Sequence, residues 1–416
     1  MRRSRFVRAR VLLVTTNYWP EPTGIAVYTT DLAESLQGPD FEVSVLTSLP
    51  HYPWWKVPSE FAHLTEGATH HESVEVIRAE HLIPPRMNAL VRIKFECSLW
   101  WNLKRVSRRL VGKDFDAVIS CIPTVAAGLV GKSFARKLGI PFGLIVQDLS
   151  GVGAKQSGLH GGALTSKAAL AVEGSVLRAA DSLVVVSPAM RDVVLGFGVD
   201  SAKVSQITNY SARNIEVKSK DLVRAELGWP SDEFIVIHTG NMGAKQGLEN
   251  VIEAARVLSP DAKVKIYLVG HGNQETNLKK FCEGLEYIAV MAAVADDQYS
   301  SLLAAADLLL VNERSTQMEM SLPSKLTSYL FSERPVLAAV PRGGATWKFL
   351  DGIAELVEAG KPSLLARAIE DLSRNPEKRK RLASKGLDFA RKNLDAEVGR
   401  RKYLDWVNSL IQSKRG

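Results

Sequence analysis

The stretch from Glu233 to Ala255 reads EFIVIHTGNMGAKQGLENVIEAA and contains the pattern that decides the fold. An apolar, β-branched run comes first, a glycine-rich segment follows, and an amphipathic pattern of helical period begins after Gly247. A buried strand that passes through a short loop into a helix is the repeating unit of parallel α/β sheets. We therefore predict one strand–loop–helix unit of a doubly wound sheet here.

Similar apolar runs alternate with helical patterns through both halves of the 416-residue chain. The runs are RVLLVTT, FEVSVLT, DAVISC, PFGLIVQ and DSLVVVS in the first half, and EFIVIHTG, AKVKIYLVG, EYIAVM, DLLLVN and RPVLAAV in the second. Strands with little polar alternation indicate parallel sheets that helices cover on both faces. The sequence thus predicts an α/β protein with two doubly wound, Rossmann-like domains.

A polar segment, ITNYSARNIEVKSKDLV, separates the two halves. We place an N-terminal domain at residues 1–206, a linker at 207–222, a C-terminal domain at 223–395 and a last helix at 396–416. Ligands of doubly wound sheets bind at the carboxyl ends of the strands, so we expect the two domains to face a central cleft.

The last helix carries apolar side chains near one face, which requires a partner surface. We expect this helix to return to the N-terminal domain. The apolar side chains are Val398, Tyr403, Trp406, Val407 and Leu410.

Length and charge bound the class of protein. No apolar run reaches the roughly 18 residues of a spanning helix, and the run after the N-terminal arginines is too short for a signal peptide. We therefore expect a cytoplasmic protein with a basic N-terminal arm. The net charge of +8 favours an anionic partner. Nucleic acid, a membrane surface and a nucleotide phosphate all qualify.

Cysteine and acidic residues give no metal-ligand pattern. Cys97, Cys121 and Cys282 are widely spaced, which predicts free thiols in a reducing compartment. Asp296 and Asp297 stand at a predicted helix start, where acidic residues act as capping groups. No metal site is predicted.

The segment Gly240 to Gly247 combines glycines that free the backbone, the cation Lys245 and the start of a helix. These three features suit a diphosphate. The spacing differs from a Walker A loop, and the first strand–helix turn lacks the G-x-G-x-x-G dinucleotide fingerprint. We predict a phosphate-binding role for this segment.

Two strand ends of the first half also carry candidate ligand groups. Gly24 opens the first helix, where a ligand can approach unpaired N–H groups, although a tight turn alone explains a glycine equally well. The next loop, SLPHYPWWKV, contains His51, Tyr52, Trp54 and Trp55. An aromatic loop of this kind suits a sugar ring or a lipid-linked acceptor, with local packing as the alternative.

Two further features of the first half allow two interpretations each. Residues 86–109 predict a helix in which basic side chains surround tryptophans, as expected of a helix on an anionic bilayer or of a packed helix with a solvated face. Asp148 follows the strand PFGLIVQ. It either orients a hydroxyl or accepts its proton, or it serves as a helix N-cap or closes an Asx turn.

The later stretch LPSKLTSYLFSERPVL, residues 322–337, begins a helix at Ser324 and Lys325. Taken alone, Ser324 is an N-cap and Lys325 a solvated charge.

Together these motifs resemble the retaining family 4 glycosyltransferases of the GT-B fold, within the subgroup that builds exopolysaccharides, colanic acid and O-antigen. The resemblance rests on NYWPEPTGIAVYTTDLAESL, SLPHYPWWKV, VQDL, GNMGAKQGLENVIEAA, VGHG, LPSKLTSYLFSERPV and GGATWKFLDG, which in order cover almost the whole chain.

The resemblance implies transfer of a sugar, with retention, from a UDP- or GDP-sugar to a glycan or a polyprenyl-diphosphate-linked glycan. The C-terminal domain would bind the donor and the N-terminal domain the acceptor, with no cofactor and no metal. It further implies a peripheral location at the inner face of the plasma membrane, an anionic membrane surface as partner, and no nucleic acid.

Carried over residue by residue, the resemblance assigns the donor diphosphate to Lys245, with Gln246 beside it. Asn241 stands where many relatives have arginine and cannot neutralise charge. Gly24 would bring helix N–H groups to the phosphates or the acceptor. Ser324 and Lys325 become candidates for nucleotide contact.

The chain also departs from the family pattern. Many relatives have two glutamates eight positions apart, which fall here on Met320 and Ser328, with Glu319 one residue away. We expect Ser328 to bind the ribose in place of the second glutamate. Glu333 replaces a glycine after the motif helix, so that helix would close without an easy left-handed residue. The segment SGVGAKQSG after Asp148 lacks the usual continuation.

The catalytic set implied is Asp148, Lys245 and Glu319, in a front-side displacement that depends on positioning and charge stabilisation. The acceptor contacts are His51, Tyr52 and Trp54. Two other functions stay open: a nucleotide-sugar epimerase of the same architecture, and a weakened, glycan-binding subunit without full activity.

Overall fold

A computed structural model of the chain describes residues 8–22, 24–85, 89–149, 163–210, 216, 218–315 and 322–413. The chain divides into two compact units, Met1–Ala212 with Glu397–Gly416 (unit 1) and Arg213–Ala396 (unit 2). The change from unit 1 to unit 2 falls inside the segment that we assigned to the linker. A helix that begins at Lys220 already occupies the end of that segment.

Unit 1 contains an eight-stranded sheet in the order β3-β4-β2-β1-β5-β6-β7-β8, which is parallel except for β3. Its strands are β1 (Ala9–Val14), β2 (Phe41–Ser48), β3 (Gly67–His71), β4 (Val74–Ala79), β5 (Ala117–Ile122), β6 (Phe142–Val146), β7 (Ser182–Val185) and β8 (Val204–Gln206). Its helices are α1 (Ile25–Leu36), α2 (Ala89–Ser107), α3 (Val125–Leu138), α4 (Ala163–Leu177) and α5 (Pro188–Gly196). At the centre, Val11 of β1 lies opposite Val43 and Ala117.

Unit 2 contains a six-stranded parallel sheet in the order β11-β10-β9-β12-β13-β14. Its strands are β9 (Phe234–Thr239), β10 (Val264–Val269), β11 (Ile288–Met291), β12 (Leu308–Asn312), β13 (Val336–Val340) and β14 (Glu355–Glu358). Its helices are α6 (Lys220–Leu227), α7 (Glu249–Arg256), α8 (Glu275–Phe281), α9 (Asp296–Ala305), α10 (Lys325–Phe331), α11 (Ala345–Leu350), α12 (Pro362–Arg374) and α13 (Pro376–Asn393). The order reverses direction between β9 and β12, and ligands of doubly wound sheets bind at such a switch point.

The apolar strands are buried on both faces, as the sequence predicted. In β9, Val236 belongs to the core on one side of the sheet, whereas Ile235 and Ile237 belong to the core on the other side. Ten strands coincide with the ten quoted apolar runs. The short or polar strands β3, β4, β8 and β14 carry little of that signal and were not predicted.

The C-terminal helix α14 (Ala396–Gln412) packs on unit 1, which confirms the predicted return. Trp406 donates from Nε1 to the Ser182 hydroxyl at 2.8 Å. Helix α14 approaches the sheet so closely that a Cβ on Gly143 would lie 2.7 Å from Leu410 and 2.8 Å from Trp406. Arg400 forms an ion pair with Asp31 of α1.

The end of α10 closes without a glycine, as predicted. Glu333 itself adopts the left-handed conformation, with a φ of 60°. The connection from α10 to the next strand is short, so the backbone must turn sharply within it. A side chain at positive φ in such a turn costs about 1 kcal/mol relative to glycine.

Candidate functional site

The segment Gly240–Gly247, which we call the β9 loop, follows β9 at the switch point of unit 2 and is anchored on the loop after β10. Gly240 N–H donates to the Val269 carbonyl at 2.9 Å, and Met242 N–H donates to the His271 carbonyl at 2.7 Å. A Cβ on Gly270 would lie only 1.8 Å from the Gly240 carbonyl oxygen. The two loops therefore pack backbone against backbone.

Hydrogen bonds within the loop and from the end of β12 fix the second half of the β9 loop. Gly243 N–H donates to Gln246 Oε1 at 3.1 Å, so the predicted donor residue Gln246 has a structural contact within the loop. Asn312, at the end of β12, donates from Nδ2 to the carbonyls of Gln246 and Gly247 at 2.7 and 2.9 Å. The Lys245 carbonyl accepts from Arg314 N–H at 2.9 Å, while the Lys245 side chain is exposed.

The start of α10 lies at the other end of the same loop. Lys325 Nζ is 3.0 Å from His238 Nε2 and 3.4 Å from the position that a Cβ on Gly240 would take. Ser324 occupies the N-cap, but within the described residues its side chain accepts no capping hydrogen bond. Ser324 therefore has the predicted N-cap position without the capping bond, whereas the interpretation of Lys325 as a solvated charge is wrong.

The structure brings four predicted donor residues to one end of one sheet: Asn241, Lys245, Gln246 and Lys325. Ser328, one turn into α10, is half-buried. Glu319 and Met320 lie outside the described residues. Sequence reasoning missed His238 and Asn312, whose signal was a polar residue at the end of an otherwise apolar strand.

In unit 1, Gly24 and Tyr52 lie together. Gly24 caps the N-terminus of α1 at φ 67°, and a Cβ there would come within 3.3 Å of Tyr52 Cε1. Both residues are exposed. The predicted approach to the α1 N-terminus is therefore lined by an aromatic ring.

A buried carboxylate, Glu21, holds this arrangement and was not identified from the sequence. Its Oε1 accepts from the backbone N–H groups of His51 and Tyr52 at 2.8 and 2.9 Å, and its Oε2 accepts from Asn17 Nδ2 at 2.7 Å. Glu21 is 4 % exposed. Burial raises the pKa of Glu21 to about 7, against the opposing effect of its hydrogen bonds. Its only signal in the sequence was a position between two prolines.

His51 occupies a different place from the one predicted. The side chain is 3 % exposed, and its ring packs 4.6 Å from the ring of His81 and 5.6 Å from that of Phe95. Burial lowers the pKa of His51, which keeps the ring neutral. Such burial argues against the predicted direct acceptor contact. Trp54 is half-buried, with its ring 6.0 Å from that of Phe61.

Asp148 is exposed at the end of β6, and its Oδ1 accepts from Leu149 N–H at 2.8 Å. This contact is to the adjacent residue, so it is not the Asx turn, which would need a bond to the N–H two residues on. The preceding Gln147 exchanges two hydrogen bonds with Asn209 at 3.0 and 2.8 Å. The segment that follows Leu149 lies outside the described residues.

Helix α2 has one buried and one exposed face. Phe95 and Leu99 are buried, whereas Leu90 is 73 % and Trp101 61 % exposed. We call the exposed side the basic helix face. Its exposed cations are Arg92 and Lys94; Lys104 and Arg105 are half-exposed, and Arg108 and Arg109 follow in the turn after α2. Arg105 and Arg109 are ion-paired with Glu66.

No group of three or more histidine, cysteine, aspartate or glutamate side chains with metal-binding geometry occurs among the described residues. In the same part of the chain, no helix combines the length and apolar character of a membrane span.

Comparison with known proteins identifies the family. The model for the Glycosyl transferase 4-like domain matches residues 23–209, and the model for Glycosyl transferases group 1 matches residues 219–388. WcaI of Escherichia coli K12, described as a colanic acid biosynthesis glycosyl transferase, is 30% identical over 77% of this chain and 81% of its own length. The chain belongs to the family 4 glycosyltransferases.

A second relative of this glycosyltransferase, WbjE of Pseudomonas aeruginosa, is 27% identical over 32% of the chain and 34% of its own length. Among solved structures, Anabaena HepE in complex with UDP superimposes with a TM-score of 0.71 at 19% identity, over 96% of this chain and all of HepE. WaaG, a glycosyltransferase of lipopolysaccharide biosynthesis, gives a TM-score of 0.64 at 14% identity, over 95% and 98% of the two chains. These likenesses confirm the predicted GT-B fold.

Proposed function

We propose that this glycosyltransferase transfers a sugar, with retention at the anomeric carbon, from a UDP- or GDP-sugar to a glycan or polyprenyl-diphosphate-linked glycan in bacterial surface polysaccharide synthesis. The observation that carries the proposal is the β9 loop. It combines a fixed backbone, the exposed cation Lys245 and a second lysine, Lys325, at the switch point of unit 2. The UDP and UDP-glucose complexes of HepE support a nucleotide-sugar donor.

In the proposed reaction the bond between the anomeric carbon and the diphosphate oxygen breaks, and its electron pair leaves with the diphosphate. The acceptor hydroxyl oxygen forms the new bond on the same face, and its proton passes to the departing diphosphate. Lys245 and Lys325 would stabilise the charge that develops, so the reaction would need no metal. Retention is the stereochemistry of the family that the motifs resemble.

The acceptor is assigned to unit 1. Tyr52 and the exposed N-terminus of α1 at Gly24 offer an aromatic face and backbone N–H groups to a sugar ring. Glu21 would fix both by holding the backbone of Tyr52.

The basic helix face suits a lipid-linked acceptor, because cations around exposed apolar side chains bind anionic bilayers. We expect the protein to sediment with anionic vesicles and far less with zwitterionic ones. Leu90→Ser with Trp101→Ser should lower vesicle binding at least about tenfold, from the loss of two buried apolar side chains. Leu222→Ser in unit 2, at an equally exposed leucine, is the control. Equal binding by both variants would remove this face from the proposal.

One assay tests the proposed function. Purified protein is incubated with membranes and a panel of UDP-, GDP- and dTDP-sugars in EDTA, transfer to lipid is counted, and the product's anomeric configuration is determined by NMR. Transfer with retention is expected. An isomerised nucleotide-sugar in the absence of acceptor would identify an epimerase, and calorimetry that shows no nucleotide-sugar binding would identify a binding subunit.

A further inference from the structure

His238, the penultimate residue of β9, is a buried polar side chain that no sequence motif singled out. It is 0 % exposed, and its two ring nitrogens meet different groups. Nδ1 lies 3.0 Å from the Leu310 carbonyl of β12, and Nε2 lies 3.0 Å from Lys325 Nζ of α10. The imidazole on β9 therefore links strand β12 to the start of helix α10.

These contacts fix which nitrogen carries the proton. A carbonyl oxygen only accepts, so Nδ1 must carry the hydrogen and Nε2 must accept from Lys325. Burial, followed by the charge of Lys325, lowers the pKa of His238 well below its ordinary value, so the ring is neutral. His238 thus orients the Lys325 ammonium group while remaining neutral. A carboxylate at the same place would add a negative charge beside the ammonium group.

The ammonium group is held at the first residue of the β9 loop. Its Nζ is 3.4 Å from the position of a Cβ on Gly240, while the Asn241 amide turns back, with Nδ2 2.9 Å from the position of a Cβ on Gly243. At this end of the loop the cation is therefore Lys325, and residue 241 is a neutral asparagine.

We propose that His238 is a positioning residue that holds the Lys325 ammonium as the second cation of the donor diphosphate site. The inference rests on the proposed function of the β9 loop as that site. A free lysine side chain loses rotamer entropy when a ligand orders it. A lysine already oriented by a buried imidazole avoids much of that cost, which is the advantage of preorganisation.

A double-mutant cycle on nucleotide affinity tests the inference. Calorimetry with UDP, GDP and dTDP is run on the full-length wild type, His238→Phe, Lys325→Met and the double variant. We expect Lys325→Met to weaken the diphosphate that binds best about tenfold, the loss of one charge-assisted hydrogen bond. His238→Phe should weaken it at least about threefold, and should have no further effect when Lys325 is already methionine.

Two further variants separate positioning from a merely structural role. In His238→Gln the amide can donate to Leu310 and accept from Lys325, so affinity should return to within about threefold of wild type. Tyr329→Phe removes a buried hydroxyl that accepts from Thr239 N–H at 2.7 Å at the same strand end. It should lower the melting temperature without coupling to Lys325.

A measurement on the wild type covers the case in which His238→Phe does not fold. The ¹⁵N NMR spectrum should show the Nδ1–H tautomer of His238, with an Nε2 signal that shifts on UDP addition in wild type but not in Lys325→Met. Additive effects in the cycle, or an unshifted Nε2 signal in protein that binds UDP, would overturn the inference alone. Failure of wild type to bind any of the three diphosphates would overturn the inference together with the proposed function.

Discussion

The loop after β9 in unit 2 and the loops after β1 and β2 in unit 1 occupy equivalent ends of two similar sheets, yet they are built from different groups. Backbone amides and the neutral side chains of Asn312 and Gln246 hold the β9 loop, and lysines lie at both of its ends. The unit 1 loops instead converge on one buried carboxylate, Glu21, and present Tyr52.

This difference separates two kinds of ligand. Ammonium groups beside a fixed, glycine-rich backbone suit a diphosphate, whose charge they neutralise. An aromatic side chain and a helix N-terminus suit an uncharged sugar ring. Under the proposed function, unit 2 would bind the donor diphosphate and unit 1 a sugar ring of the acceptor, and variants in one unit should leave the other unit's ligand unaffected.

The largest expected effect is that of Gly270→Ala. Its Cβ would lie 1.8 Å from the Gly240 carbonyl, so the β9 loop must move, and we expect donor affinity to fall by about 100-fold or more. Gly284→Ala is the control, because Gly284 also has a positive φ, 76°, but nothing within 4 Å of its Cβ position. It should cost about 1 kcal/mol of unfolding free energy and leave affinity unchanged. Calorimetry and thermal melting measure both, and wild-type affinity in Gly270→Ala would show that loop packing does not build the site.

Lys245→Ala should lower kcat/KM about 100-fold, because the transition state loses a cation at the departing diphosphate. The acceptor KM should not change. Lys280→Ala, an exposed lysine on α8, is the matched control. A Lys245→Ala enzyme within about threefold of wild type, less than 1 kcal/mol, would remove Lys245 from this role.

Glu21→Gln tests the unit 1 loops through pH. Because the folded pKa of Glu21 is about 7 and its ordinary value is 4.5, the folded state binds more protons than the unfolded state between these values. Stability therefore falls as the pH rises from 4.5 to 7, by up to about 3 kcal/mol. Burial lowers the pKa of the neighbouring His51, so this ring contributes in the opposite sense to Glu21.

In Glu21→Gln the decline contributed by this carboxyl should disappear. Denaturant unfolding at several pH values measures the difference between variant and wild type. Desolvation also raises the pKa of the half-buried Glu96 to about 7, so Glu96→Gln serves as the control for a second carboxyl of raised pKa in unit 1. Parallel pH profiles for wild type and Glu21→Gln would contradict the account of Glu21.

Tyr52→Ala has the smallest expected effect. Loss of one aromatic face costs about 0.5 to 1.5 kcal/mol, which should raise the acceptor KM roughly 3- to 10-fold and leave the donor KM unchanged. Tyr52→Phe keeps the ring and should stay within about twofold of wild type. A rise in the donor KM instead would contradict the assignment of the donor to unit 2 and of the acceptor to unit 1.

The parts of the fold and site that were predictable are those that local sequence determines. The strand, the glycines, Lys245 and the start of α7 follow one another along the chain, so their arrangement could be inferred from the stretch Glu233–Ala255. The return of α14 followed from its apolar face.

The missed residues depend on partners far away in sequence. His238 and Lys325 are separated by 87 positions, Gln246 and Asn312 by 66, and Glu21 and His51 by 30. No periodicity or spacing relates such pairs, because only the packing of strands and loops brings them together. His51 was predicted to contact the acceptor for the same reason, since its packing against Phe95 of α2 could not be inferred from the local sequence.

The central claim is that the β9 loop of unit 2 binds the diphosphate of a nucleotide-sugar. Its most direct test is calorimetric titration of the full-length protein, in EDTA, with UDP, GDP and dTDP and with the corresponding nucleosides, in parallel with Lys245→Ala. We predict that one diphosphate binds at least about tenfold more tightly than its nucleoside, and that Lys245→Ala removes most of this difference. Equal affinity for diphosphate and nucleoside, or an unchanged difference in Lys245→Ala, would contradict the claim.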